Sequence, residues 1–287
     1  MKILNFGSLN IDFVYKVEHI VKEGETISSN SLNTFCGGKG LNQSIAIARA
    51  GGLVYHAGKV GQDGSVLIDA LKKDKINTDF ILINDGKSGN AIIQVDKNGQ
   101  NSIVLFGGAN LDISENDIDK VLANFAKDDI LLLQNEISSL PYIIEKASSI
   151  GMEIAFNPSP IKENLRDIKF ENISMLFINE IEGKELSGYT KPCDIVNELI
   201  KKYPNTKIIL TLGKDGVLYK DKDKTIEQQA IDAKVVDTTA AGDTFTGYFL
   251  TLYSQGVKIK EILLEASKAS AICVSKVGAS SSIPFRG

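Results

Sequence analysis

Short runs of aliphatic and β-branched residues alternate with segments of helical periodicity along most of this chain, and that alternation restricts its fold more than any single motif does. Residues 130–133, 154–156, 175–178 and 208–212 read as buried strands, and residues 140–149 and 193–202 between them read as helices. Strands that lack polar alternation are covered on both faces, and strands joined through helices run parallel. The pattern therefore predicts an α/β fold: three layers, α/β/α, with a mostly parallel central sheet. Ligands of such sheets collect outside the carboxyl ends of the strands. The polar residues that follow the apolar runs (134–136, Asn157, Asn179 and 211–213) are thus candidates for a site.

Two segments break this rhythm. Residues 12–18 and 26–35 look extended, and residues 88–106 alternate about Lys97-Asn98-Gly99-Gln100, where Asn-Gly is a strong hairpin signal. These stretches predict a small β-sheet lid built from about 12–35 and 88–107. No linker, internal repeat or low-complexity tract divides the chain, so one domain over residues 1–287 is expected to carry the lid.

Composition excludes several classes of function. Lys and Arg number 32 against 36 Asp and Glu, a net charge of −4 without a long basic run, which argues against nucleic acid as a partner. Three cysteines, Cys36, Cys193 and Cys273, form no C-x-x-C pair, in keeping with a reducing, cytoplasmic setting. With only His19 and His56, a histidine-rich metal site is excluded. No apolar stretch is long enough to cross a membrane, and no leader-like segment opens the chain.

Chemistry concentrates in two places. In Asp237-Thr238-Thr239-Ala240-Ala241-Gly242-Asp243-Thr244, a strand closing at Val235-Val236 is expected to turn directly into a helix that carries Phe245, Phe249, Leu252 and Tyr253 on one face. A helix start offers unpaired N–H groups and partial positive charge, and Ala240, Ala241 and Gly242 let an anion approach them. Asp243 sits in that field as an ionised acceptor, an arrangement suited to phosphoryl transfer. The second place is Cys36-Gly37-Gly38-Lys39-Gly40-Leu41-Asn42-Gln43, which ends an extended stretch and opens a helix; Asn42 there can exchange hydrogen bonds with hydroxyl groups. Its spacing is not that of a P-loop.

Together these segments, in this order and spacing, resemble the two signatures of the ribokinase-like (PfkB-type) sugar kinase family, and the similarity covers essentially the whole chain. The resemblance implies an ATP-dependent sugar kinase, with D-ribose as acceptor and D-ribose 5-phosphate as product. Deoxyribose, another sugar or a nucleoside stays open as acceptor, as does a silent sugar-binding sensor on the same scaffold. It further implies a polar sugar floor of Asp12, Gly38, Lys39, Asn42 and Glu136, with Asp243 as catalytic base and the amides of Ala240, Ala241, Gly242 and Asp243 as anion hole. Asn179 and Glu182 correspond to the family's N-x-x-E element, which helps place Mg²⁺ and phosphate through water. Thr211, Gly213 and Gly216 correspond to its nucleotide turn, and Ser267 stands where a histidine often lies beside the adenine. K⁺ is implied around Asp237, Thr239, Cys273, Lys276, Gly278 and Ser282. Alternating apolar residues on the lid strands (Ile92, Val95, Ile103 and Leu105) predict a homodimer formed through the lids.

Overall fold

A computed structural model describes all residues 1–287. Nine strands form the central sheet, in the order β13-β12-β11-β10-β9-β8-β1-β4-β5. Seven of them run parallel: β1 (Ile3–Phe6), β4 (Val54–Val60), β5 (Asn77–Ile83), β8 (Ile130–Gln134), β9 (Glu153–Asn157), β10 (Met175–Asn179) and β11 (Lys207–Thr211). At one edge β12 (Val217–Lys220) and β13 (Thr225–Gln228) add an antiparallel hairpin. The four apolar runs read from the sequence are β8 to β11, each within a residue or two of its expected bounds.

Both faces of the sheet are buried, which explains the missing polar alternation. Ile3, Ile130, Met175 and Ile209 point to one side, where they pack with α1 (Lys39–Arg49), α2 (Ser65–Lys73), α7 (Ala241–Ser254) and α8 (Ile259–Val274). Their neighbours Leu4, Leu131, Leu176 and Ile208 point to the other side, against α3 (Glu115–Leu122), α4 (Leu140–Ile150) and α6 (Pro192–Lys202). The remaining helix, α5 (Glu180–Ser187), follows β10 directly.

A separate four-stranded sheet has the order β3-β2-β6-β7, from β2 (Asn10–Lys16), β3 (Ser31–Gly37), β6 (Gly89–Val95) and β7 (Asn101–Phe106). The expected hairpin joins β6 to β7. Asp96 Oδ1 accepts from the N–H groups of Asn98 and Gln100, and Gly99 takes the positive φ of 80° that the turn needs. All six residues of β7 are exposed, and Ile103, Val104, Leu105 and Phe106 are each more than half exposed.

One sequence expectation fails. Val235 and Val236 belong to no strand and are 63% and 49% exposed. A β-branched pair becomes a strand only when a neighbouring strand accepts its N–H groups. Here the N–H groups of Val236 and Asp237 both donate to the Val274 carbonyl at the end of α8. An irregular segment, rather than a strand, therefore leads into α7.

Candidate active site

The chain winds outward from β1 in both directions, through β4 and β5 on one side and β8 to β11 on the other, so the strand order reverses between β1 and β8. A crevice opens at such a reversal, outside the carboxyl ends of the strands. Residues that follow β1 and β8 meet there. The Ser8 hydroxyl donates to Glu136 Oε2, and the Lys39 backbone N–H donates to the same oxygen at 3.0 Å. Gly40 N–H donates to Ser8 Oγ at 3.1 Å and Leu41 N–H to the Ser8 carbonyl at 3.0 Å, so the start of α1 is saturated by its neighbours. A side chain at position 40 would have its Cβ 2.3 Å from Ser8 N, and Gly38, the residue before α1, has a φ of 92°.

Helix α7 begins differently. Its N-cap, Ala240, lies in the left-handed region at φ 61° and supplies no capping side chain. For a residue with a Cβ that conformation costs about 1–2 kcal/mol. The N–H groups of Gly242 and Asp243 donate to no acceptor in the protein, and nothing lies within 4 Å of where a Cβ on Gly242 would stand. Both donors face a cavity of about 210 Å³ whose walls include Lys39, Asn179, Glu182, Thr211, Gly242 and Asp243. Asn157, Asn179 and Thr211 reach it from the carboxyl ends of β9, β10 and β11. Ser159 and Thr238, on loops, and Thr246, in α7, also line it; lone hydroxyl residues carry no sequence signal that would have singled them out.

Asp243 is 6% exposed and gripped from α1: Asn42 Nδ2 donates to Oδ2 at 3.1 Å and Gln43 Nε2 to Oδ1 at 2.8 Å. Asn42 keeps its own Oδ1 buried without a partner, an acceptor available to a hydroxyl donor. Lys39 lies among three carboxylates. Burial works against its charge, but Asp243, Glu136 and Glu182 outweigh that and hold its pKa above the ordinary lysine value.

Asp12, on β2, joins this group from the smaller sheet. Burial, reinforced by the nearby Glu136 charge, pushes its carboxyl from 3.8 up to about 7. Gly37 leaves room for this rotamer, because a Cβ there would fall 2.0 Å from Asp12 Oδ2 and displace the carboxyl group. The raised value has a consequence for stability. An acid whose folded-state pKa lies above its unfolded value favours the folded state most at low pH, and that support disappears as the pH rises through the interval. The melting temperature of Asp12→Asn relative to the parent should therefore climb between about pH 4 and pH 7 and level off above. A gap that stays constant over that range would show that Asp12 ionises normally.

Asn179 and Glu182 form a complete capping box on α5. Asn179 Oδ1 accepts from Glu182 N–H at 2.9 Å, while Glu182 accepts from Asn179 N–H at 2.9 Å and from its Nδ2 at 3.1 Å. Both Glu182 oxygens are thus engaged, yet the residue still lines the cavity. At the β11–β12 connection Gly213 and Gly216 have φ of 53° and 100°, and the Gly216 position lies against the Gln228 carbonyl, where no Cβ fits. Ser267 is buried in α8 and does not line the cavity.

A second cluster lies behind the start of α7. Asp237 accepts from Thr239 N–H and Oγ1 at 2.9 and 2.6 Å and from Gly278 N–H at 3.0 Å, which draws the 237–239 and 276–282 turns together. Burial opposes its charge, but these donors hold its carboxyl below the ordinary value. The fully buried Cys273 donates its thiol to the Thr239 carbonyl at 3.6 Å and contacts Ser282 Oγ at 3.0 Å. Lys276 N–H donates to the Cys273 carbonyl at 3.2 Å.

Comparison with known proteins agrees with this architecture. Ribokinase of Haemophilus influenzae is 34% identical over 98% of this chain and 94% of its own length. A deoxyribokinase of Salmonella typhimurium is 32% identical over 99% of this chain and 96% of its own. The structure of Arabidopsis thaliana ribokinase complexed with ribose and ATP matches 98% of this chain and 95% of that one, with a TM-score of 0.86 and 31% identity. The sequence profile described as pfkB family carbohydrate kinase covers residues 1–286, and this chain belongs to that family.

Proposed function

We propose that this protein is an ATP-dependent sugar kinase that converts D-ribose to D-ribose 5-phosphate. The observation that carries the reading is the pairing of an ionisable carboxylate, Asp243, with two unpartnered N–H donors, Gly242 and Asp243, at one helix start on one cavity. Asp12, Gly38, Lys39, Asn42 and Glu136 form the sugar floor. Several fixed acceptors suit a polyol, and ionised carboxylates make the stronger hydrogen bonds. The deoxyribokinase relative makes deoxyribose the first alternative acceptor.

Asp243 takes the proton of a primary hydroxyl as that oxygen bonds to the γ-phosphorus and the bond from phosphorus to the β–γ bridging oxygen breaks, with ADP as the leaving group. Of the four amides expected to form the anion hole, Ala241 N–H donates to the Thr238 carbonyl at 3.3 Å, so the open Gly242 and Asp243 amides, with the Lys39 charge, face the negative charge that spreads over the transferring group. ATP lies along the turn carrying Thr211, Gly213 and Gly216 and reaches toward Ser267. Magnesium, when bound, would supply positive charge to offset that of the phosphates. With both Glu182 oxygens committed to the capping box, Asn179 and Glu182 would hold it through water, as suits an ion that keeps much of its hydration shell. The residues around the second cluster fit K⁺: no group of three or more His, Cys, Asp or Glu is available, whereas the Asp237–Gly278 bond draws two carbonyl-bearing turns together. Thr239, Cys273, Lys276, Gly278 and Ser282 belong to those turns.

The four-stranded sheet acts as a lid on a single domain, because it delivers Asp12 to the crevice while its connections leave the main sheet intact. The wholly exposed β7 carries the proposed homodimer, with sugar and ATP as the small-molecule partners. No helix is long and apolar enough to cross a membrane, and a cytoplasmic setting is proposed. Light scattering at micromolar concentration should give a dimer mass, and Val104→Asp should shift it toward the monomer. A monomeric parent would remove the dimer.

Turnover with ATP and Mg²⁺ across a panel of ribose, deoxyribose, hexoses and nucleosides tests the function. Ribose should give ADP fastest. Idle ribose with an active nucleoside would overturn the acceptor, and sugar binding without ADP formation from any of them would overturn the kinase.

A further inference from the structure

Behind Asp243 runs a chain of polar side chains that no part of the proposed chemistry uses. Gln43, Gln134, Asn5, Ser44 and His56 are all 0% exposed, in a region where unpaired polar groups are costly. Gln43 Nε2 donates to Asp243 Oδ1 at 2.8 Å, and Gln134 Nε2 donates to Gln43 Oε1 at 2.7 Å and to Asn5 Oδ1 at 3.0 Å. Asn5 Nδ2 in turn donates to the Gly40 carbonyl at 2.7 Å and to Ser44 Oγ at 2.8 Å, and Ser44 Oγ lies 2.8 Å from His56 Nδ1.

The polarity of this chain is set at one end. An ionised carboxylate only accepts, so Gln43 must present its NH₂ to Asp243 and its carbonyl oxygen to Gln134. Gln134 must then present its own NH₂, which leaves Asn5 Oδ1 as acceptor and turns the Asn5 amide toward Ser44. With its oxygen accepting from Asn5, the Ser44 hydroxyl donates to His56 Nδ1, which fixes the imidazole as the neutral Nε2–H tautomer. Burial agrees, holding His56 down at about 3, with a small opposing contribution from the Gly7 backbone. The donors diverge from Gln134, through Gln43 to Asp243 on one side and through Asn5 and Ser44 to His56 on the other. The chain can therefore orient the carboxylate but cannot carry its proton away, because an amide NH₂ in this orientation has no lone pair to receive one.

We infer that Gln43 and Gln134 are positioning residues for the reaction: Gln43 fixes the rotation of the Asp243 carboxylate, and Gln134 acts through Gln43 by locking its amide. The inference rests on Asp243 being the base. Without the Gln43 donor, the carboxylate retains only the Asn42 bond on its other oxygen and is freer to rotate about its Cβ–Cγ bond.

The test uses the near-isosteric variants Gln43→Met and Gln134→Met and their combination, with kcat and KM for sugar and ATP as readouts. Loss of one charge-assisted hydrogen bond should lower kcat by about 10- to 100-fold in Gln43→Met. Both KM values should stay within about threefold, an allowance well below the kcat effect of the lost bond. Gln134→Met should give a smaller change of the same kind. The double variant should be no worse than Gln43→Met, because one residue works through the other.

A kcat that stays parental in Gln43→Met, or that falls only together with a comparable rise in KM, overturns the inference, and a double variant that multiplies the two single effects overturns the serial arrangement. Melting temperature and ADP affinity establish that each variant is folded. If Gln43→Met does not fold, Gln134→Met alone decides by the same two readouts. Asp243→Asn run alongside separates the two claims. If it keeps turnover the base assignment fails, whereas an inactive Asp243→Asn beside an unaffected Gln43→Met removes only the positioning role.

Discussion

Asp243→Asn is expected to lower turnover by about 100- to 10,000-fold, the range that general-base catalysis contributes, while sugar and ATP bind nearly as well as before. The surroundings make this substitution a clean one. Two donors converge on the carboxylate, so an asparagine keeps an acceptor for Gln43 but turns an NH₂ toward Asn42. Asn42 has a buried, unpartnered Oδ1 and can reverse its amide to accept from that NH₂. The fold therefore accommodates the change and the chemistry does not. Steady-state kinetics together with calorimetric sugar binding check the result, and turnover near the parental value would take the base role from Asp243.

The second large effect is expected at Gly247, one helical turn beyond Asp243 on α7. Helices α1 and α7 cross so closely there that a Cβ on residue 247 would stand 2.4 Å from Ala46 Cβ and 2.8 Å from Ile47 N. One of these atoms is backbone and cannot rotate aside, so Gly247→Val should cost about 3 kcal/mol or more, at the upper end of what overpacking does. The loss should not be confined to stability. Asn42 and Gln43 sit on α1 and Asp243 on α7, and forcing the helices apart lengthens the two hydrogen bonds that hold the carboxylate. Urea unfolding should show a lower midpoint, and the fraction that stays folded should turn over more slowly. A folded variant with parental kcat would show that the crossing and the base are independent.

The sequence disclosed the central sheet well, because β8 to β11 are buried on both faces and carry their signal within five residues each. The hairpin at Asn98-Gly99 was equally legible, since its turn chemistry is local. Val235-Val236 misled for the opposite reason. Its strand propensity was genuine, but the N–H partner lies on α8, 38 residues on from Val236 at Val274. The antiparallel β12–β13 edge left no comparable signature, its strands being four residues each.

At the site, the first turn of α7 could be read as an anion cradle from Ala-Ala-Gly-Asp alone, whereas the left-handed Ala240 that leaves its amides open could not. Asn179 and Glu182 stood out together only through their resemblance to the family's N-x-x-E element, and the structure adds that they form a capping box. Gln43 was visible only as part of a motif. Its partner Gln134 is 91 positions away, and no local pattern links two amides across that distance.

The hydrogen bonds from Asn42 and Gln43 to Asp243 span 201 and 200 positions of sequence. Consider what this means on the ribosome. Helix α1 is made early, with Leu41, Ile45, Ala46 and Ile47 fully or almost fully buried in the finished protein, but much of what covers them is α7, made near the end. Through most of synthesis that apolar stripe has no native cover, and such exposed surface is what recruits chaperones and promotes misassembly. The same wait protects the substrate pools, because a chain arrested before α7 lacks both Asp243 and the open amides and has no means of spending ATP.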